Sequence, residues 1–262
     1  MAFLYETHLH TTGASKCAVS SGSEYIAGYR DNGYTGIIVT DHFYNGNCSV
    51  DKKLPWKEWV NIFCRGYEEA KEEGDKRGLD VFFGWEETFE SCDDYLVYGL
   101  GKEWLLEHPE VRTWTRGEQY SAVKKAGGCV VQAHPFRQRH YIHKVILSAD
   151  CVDAVEVANY GNDSSFDALA YRYAKKINKP MTAGTDIHDA SAVYNDMTFG
   201  VYLDKKLDSI KDYVDCVCNN RIAGLKTEKT RFDSCSNDSI VLPVEIRGKD
   251  DRITHKRWKE FV

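Results

Sequence analysis

Histidines and carboxylates stand at the downstream ends of apolar, β-branched runs along most of this chain, and that placement limits its fold more than any other feature. His8 and His10 close the run 3–10, His42 follows 36–40, His134 follows 129–133 and His188 follows 181–184, so five of the nine histidines share this position. Glu86 and Asp186 end two of the runs in the same way. Stretches of helical period separate the runs, which favours repeated strand–helix units over hairpins. In a parallel barrel every strand ends on one rim, so side chains distant in sequence converge there. His8 and His10 are two residues apart on an extended chain and point to one side; Asp186 and His188 repeat that spacing.

The length of 262 residues suits one α/β barrel of roughly 250 residues better than two small domains. Hydrophobic residues at 42% and charged residues at 28% exclude global disorder. No apolar stretch is long enough to span a bilayer, and the first residues lack the basic and apolar regions of a leader, so a cytoplasmic protein is expected. Nine cysteines, an odd number without CxxC spacing, read as reduced and mostly structural thiols. A net charge of −6 argues against sequence-independent binding to a nucleic-acid polymer and leaves room for a basic pocket around one phosphate.

Local signals predict the elements between the runs. Ser21 and Glu24 read as a capping box opening a helix that stops near Gly33, and Thr115 with Glu118 as a second, closed by Gly127 and Gly128. A helix with Pro55 in its first turn places Trp56, Trp59, Val60, Phe63, Tyr67 and Ala70 on one face, expected to be core and not a ligand cage. Further strands are expected at 80–84, 95–99, 154–158 and 199–202, a helix at 164–178, and a last helix bearing Leu207, Ile210, Val214 and Val217. The polar segment after about Lys226 is read as an extension packed on the same domain, with a hairpin expected between 240–242 and 244–246. Cys216 and Cys218 point in different directions on a helix and are expected to be structural; Cys17 is the better candidate for redox sensitivity.

Imidazole nitrogens combined with carboxylates suit Zn, Mn or Fe, and the absence of a thiolate set argues against a structural cysteine site or an iron–sulfur cluster. Any one such histidine is more often a hydrogen-bonded core or surface residue. Taken together, a single rim accounts for all seven positions.

At these residues the sequence resembles the PHP (polymerase and histidinol phosphatase) superfamily of metal-dependent phosphoesterases. The resemblance is carried by Thr7-His8-Leu9-His10-Thr11, Val39-Thr40-Asp41-His42, Gly84-Trp85-Glu86, Ala133-His134-Pro135-Phe136-Arg137 and Gly184-Thr185-Asp186-Ile187-His188. It implies a distorted (β/α)7 TIM-like barrel over residues 1–225, followed by the extension 226–262. It also implies two or three divalent ions: His8, His10, Glu86 and Asp186 at one, Glu86 bridging to a second bound by His134, and His42 with His188 at a third. Two departures stand out. The loop after the HxH, Thr12-Gly13-Ala14-Ser15-Lys16-Cys17, has no aspartate where trinuclear members carry one, and a histidine expected after the Glu86 strand is replaced by Asp93 and Asp94. Asp94 is either the substitute ligand or simply the start of the next strand.

The implied reaction is hydrolysis of a small-molecule phosphate monoester, histidinol phosphate or nucleotide-like, by hydroxide that the ions generate, with Glu86, His134 and Asp186 at its centre. Arg137 is the expected phosphate clamp because guanidinium can grip two oxygens, the alternative being a solvated arginine; Lys16 is a second candidate, more often merely solvated. Rival readings are a metal-dependent amidohydrolase, which the order of ligands fits poorly, and a metal-stabilised regulatory module without catalysis. Oligomeric state is open.

Overall fold

The computed structural model describes residues 2–89, 92–233, 239–255 and 258. Its apolar runs form the strands β1 (Phe3–Leu9), β2 (Gly36–Val39), β3 (Asp80–Thr88), β4 (Asp94–Tyr98), β5 (Cys129–Gln132), β6 (Val145–Leu147), β7 (Ala154–Asn159), β8 (Met181–Gly184), β9 (Gly200–Leu203), β10 (Gly224–Lys226), β11 (Val244–Arg247) and β12 (Ile253–His255). Between them lie α1 (Glu24–Asp31), α2 (Trp56–Phe63), α3 (Arg65–Arg77), α4 (Lys102–Glu107), α5 (Arg116–Lys125), α6 (Ser164–Lys176) and α7 (Ile210–Cys218).

One sheet runs β10-β9-β1-β2-β3-β4-β5-β7-β8. Its far edge curls back on β1: the Asp186 amide donates to the His8 carbonyl at 2.8 Å and the His10 amide to the Ile187 carbonyl at 3.0 Å. Seven described strands, β1 to β5 with β7 and β8, thus wrap into a nearly closed barrel. The expectation of wholly parallel strands fails at β4, which is antiparallel to both β3 and β5. The connection 89–93 is far too short for the crossover of roughly a dozen residues that parallel pairing needs, so the chain turns back as a hairpin. Consequently β4 begins, and does not end, on the rim that carries the other strand ends. β9 is likewise antiparallel to β1.

The aromatic face after Pro55 is core: Trp59 stacks on Trp56 and Phe63 with centroids 5.1 and 5.0 Å apart, and Phe43 meets Trp59 edge-on. The single helix expected there is two, breaking at Cys64. The break lays the backbone of Gly66 on the loop after β1, where a Cβ at Gly66 would come within 1.9 Å of Thr11 Oγ1. Pro55 itself is the residue preceding α2.

Three smaller expectations also differ. At Ser21 the Glu24 carboxylate takes both the backbone amide and the hydroxyl of Ser21, so the hydroxyl caps no amide and α1 starts at Glu24. The Thr115–Glu118 box is complete. Leu207 precedes α7 and packs in the core beside Tyr213. In the extension, β11 pairs with β12 and with β6 instead of with 240–242, because the Val244 and Ile246 side chains join Val145, Leu147, Phe136 and Trp258 in one apolar cluster. Among the described residues no helix is long and apolar enough to cross a membrane. The described cysteines are free thiols; Cys235 lies outside the described residues.

Candidate metal centre

Strand alternation places His8 and His10 on the inner face of the barrel, both fully buried. Each ring is held by its Nδ1. His8 Nδ1 lies 3.0 Å from Glu156 Oε1, and His10 Nδ1 lies 3.0 Å from Ser15 Oγ, whose hydroxyl donates to Asp41 Oδ1 at 2.6 Å. Both Nε2 atoms therefore face inward, 3.1 Å apart. Asp41 also accepts from the amide and hydroxyl of Thr11, tying the end of β2 to the loop after β1.

Glu86 sits at the middle of the cluster. Its Oε1 lies 3.3 Å from His8 Nε2 and 3.1 Å from His134 Nε2, while Oε2 lies 2.7 Å from His42 Nδ1 and 3.6 Å from His10 Nε2. Asp186 Oδ1 approaches His10 Nε2 at 3.0 Å and His8 Nε2 at 3.5 Å. His188 is oriented by the Asp186 carbonyl, 2.8 Å from its Nδ1, and its ring stacks on His10 with centroids 4.4 Å apart. His134 and Asp186 adopt φ of 28° and 57°, the left-handed region that side-chain-bearing residues seldom enter. The surrounding network holds His134: Glu156 Oε2 accepts its amide at 3.1 Å.

Asp94 opens β4 on this same rim because the strand runs backwards. Thr88 donates to it at 2.6 Å, and it lies 3.9 Å from His134 Nε2. Behind it, Asp93 forms a two-pronged pair with Arg116 at 2.7 and 2.8 Å; Arg116 also holds Asp251 of the extension at 2.8 Å.

Arg137 is not a solvated arginine. Its guanidinium reaches Asp186 Oδ2 at 2.5 Å and the side-chain oxygens of Asn159 and Asn162 at 2.9 Å. Lys16 is exposed and stands outside the cavity over the cluster; the loop turns its neighbour Cys17 into that cavity instead. The cavity encloses about 500 Å³, with Arg137, Asn45, Asn47, Thr88 and Tyr141 above the His42, Asp94, Asp186 and His188 floor.

The electrostatics call for positive charge. Burial disfavours a charged His8, yet Glu156, Asp186 and Glu86 raise its pKa well above the usual histidine value. His42 is raised in the same way against burial, chiefly by Glu86. Burial and the Glu86 charge together push Asp94 well above the ordinary carboxylate range. His10, buried between His42 and His188, is pushed well below. Burial works against ionisation of Cys17, but hydrogen bonds with His188 and His42 bring its pKa down to about 6.

Divalent ions fit this donor set. Four groups of ligand atoms each lie within 4.8 Å of one another: His8, His10 and Glu86; His8, His134 and Asp186; Glu86, Asp94 and His134; and His10, His42 and His188. Glu86 Oε2 and His42 Nδ1 are buried without a hydrogen-bond partner even though they lie 2.7 Å apart, so they are poorly aligned on each other. The eight residues named as ligands from the sequence come together here. Sequence reading passed over Glu156, Asn159 and Asn162; a lone carboxylate inside the apolar run Ala-Val-Glu-Val-Ala, and an asparagine at the end of that run, were the available signals.

No sequence-family model matches the chain, and no curated protein matches it. Solved structures do. A two-domain protein from Bacteroides vulgatus containing a predicted PHP-like metal-dependent phosphoesterase superposes with a TM-score of 0.61 at 16% identity, over 85% of this chain and 64% of that one. The lesion-specific endonuclease Q of Pyrococcus furiosus gives 0.54 at 12% identity, over 86% of this chain and 58% of the endonuclease. An amidohydrolase from Chromobacterium violaceum with bound sulfate gives 0.51 at 12% identity, over 83% and 96%. This chain thus spans less than two thirds of the first two proteins. At these identities the likeness is one of fold: the barrel is that of the PHP-like metal-dependent phosphoesterases, and amidohydrolase barrels share its general form.

Proposed function

We propose that this chain is a metal-dependent phosphoesterase that hydrolyses a small phosphate monoester, histidinol phosphate or nucleotide-like, in the cytoplasm. The observation that carries the reading is Glu86, whose two oxygens face different histidine pairs, His8 with His134 and His42 with His10. A carboxylate so placed is suited to link two cations. His8, His10, Glu86 and Asp186 would hold one ion, Glu86, His134 and Asp94 a second, and His42 with His188 a third; Zn, Mn and Fe all suit these donors. Bound divalent ions supply a lowered pKa for water and neutralise charge gathering on the phosphoryl group.

The chain's own residues do the rest. Glu156 fixes the His8 ring and the His134 backbone at once, the outer-shell arrangement that keeps a ligand nitrogen aimed inward. Arg137, anchored by Asn159 and Asn162, positions Asp186 and presents guanidinium to the cavity, where it is placed to grip phosphoryl oxygens. Glu86, His134 and Asp186 are the residues on which turnover depends most. The extension 226–262, joined to β6 through β11, belongs to the same unit. An amidohydrolase reading is supported by the Chromobacterium likeness, but Arg137 is the cation lining the cavity and no lysine does so among the described residues. The uncharged Asn45, Asn47 and Thr88 beside it favour a small ester over a polyanionic strand.

The test is phosphate release from histidinol phosphate, nucleoside monophosphates, 3′,5′-bisphosphates and sugar phosphates with added Mn²⁺, with a Glu86→Ala, His134→Ala double variant as blank. Turnover by the wild type alone supports the reading. Silence on every ester by the metal-loaded protein, or cleavage of amides or abasic DNA instead, overturns it.

A further inference from the structure

His10, His42 and His188 form a donor group with their ligand atoms within 4.8 Å of one another, and all three donors are imidazole nitrogens. The carboxylates nearest this group, Glu86 and Asp186, also face the other groups. The loop after the HxH brings no aspartate to it and brings Cys17 instead. Cys17 lines the cavity beside His42 and His188.

The position of that thiol is set by backbone. The Ser15 amide bonds to the Thr11 carbonyl at 2.9 Å, Lys16 to Asn47 at 2.9 Å, and Val19 to the carbonyl of His188 at 2.8 Å. Residues on both sides of Cys17 are therefore pinned, one of them to His188 itself. Independently, the fully buried Glu86 Oε2 lacks a hydrogen bond beside His42 Nδ1, which also lacks one. These two ligand atoms lie 2.7 Å apart without a hydrogen bond between them, on the side of Glu86 that faces His10.

We propose that Cys17 is a thiolate ligand that completes the His42–His188 site, giving one ion of this centre a mixed sulfur–nitrogen donor set. The proposal rests on the metal-dependent reading above and adds a ligand to it. As the metal–sulfur bond forms, the thiol proton leaves to solvent and nothing is oxidised or reduced. The chemical consequence is selectivity. Thiolate with imidazole suits Zn²⁺ and Co²⁺, whereas Mn²⁺ prefers oxygen, so this site discriminates among ions where the carboxylate-rich groups do not.

The experiment loads the metal-depleted full chain with Co²⁺ and records its spectrum. The wild type is expected to show a near-ultraviolet sulfur-to-cobalt charge-transfer band that Cys17→Ser and Cys17→Asp both lack, with the visible bands of nitrogen- and oxygen-bound cobalt retained in each. Saturating Zn²⁺ is expected to slow alkylation of Cys17 by iodoacetamide about tenfold or more, since the bound thiolate is no longer the nucleophile. Visible cobalt bands without the charge-transfer band, or alkylation indifferent to zinc, overturn Cys17 as a ligand and leave the phosphoesterase reading standing. No cobalt binding by the folded wild type overturns both.

Discussion

The two halves of the barrel bring their ligands to the rim by different means. In the first half, β1 to β3 deliver His8, His10 and Glu86 by ordinary strand alternation, backed by the stacked Trp56, Trp59 and Phe63. In the second half regular geometry is not enough. His134 and Asp186 stand in left-handed backbone, Asp94 opens a strand that runs backwards, and Glu156, Arg137 and the Arg116–Asp93 pair hold them in place. The difference teaches that one half is fixed by pattern and the other by networks, and substitutions should separate the two.

The largest effect is expected where the halves meet. Glu86→Gln keeps the shape and removes the shared charge, and should lower kcat/KM by on the order of 10³ or more, a loss at the high end for removal of one stabilising group. The check is steady-state phosphate release with circular dichroism to show that the fold persists. A loss below tenfold would mean that Glu86 does not join the two halves.

Next comes the pair behind Asp94. Arg116 and Asp93 are both buried, so Arg116→Ala leaves an uncompensated carboxylate and should cost about 3–5 kcal/mol in chemical denaturation. If the double variant Arg116→Ala, Asp93→Ala recovers most of that loss, the cost lies in the stranded charge; if it recovers nothing, Arg116 acts instead through Asp251 and the extension.

Glu156→Gln tests the network more gently. It retains an acceptor for His8 and loses the charge, and metal affinity measured by competition with a chelator should fall about 10–100-fold. An unchanged affinity would show that the second half needs no outer support.

The smallest effect lies away from the site and serves as its control. A hydrogen bond from Cys129 together with Lys124, 3.3 Å away, lowers the Cys218 pKa to about 6 despite partial burial. Because the shift is downward, the thiolate persists to lower pH than for an ordinary cysteine: alkylation of Cys218 should reach half its maximal rate near pH 6 and remain unaffected by zinc. A zinc-sensitive Cys218 would remove the contrast with Cys17.

The same division explains what was legible in the sequence. His8 and His10 could be read because a period of two is written directly in the residues, and the barrel followed from the runs themselves, its seven strands only from the family resemblance. The reversal of β4 was less visible, since it follows from the shortness of 89–93 and not from any pattern within the strand. Glu156 looked like part of an apolar run until the burial of both oxygens against His8 and His134 gave it a task. Charge makes Lys16 a candidate phosphate contact in the sequence, whereas backbone hydrogen bonds in the loop leave Lys16 exposed and bring Cys17 to the cavity. The tail pairing failed for a related reason: β11 found its partner in β6, far upstream, and short apolar segments do not announce distant partners.

The most direct test of the central claim, that Glu86 joins ions held by both halves, is electron paramagnetic resonance of the metal-depleted protein reloaded with Mn²⁺. The account predicts the spectrum of a spin-coupled manganese pair in the wild type, replaced in Glu86→Gln by the simple pattern of isolated ions. Isolated-ion signals in the wild type at full loading would contradict it.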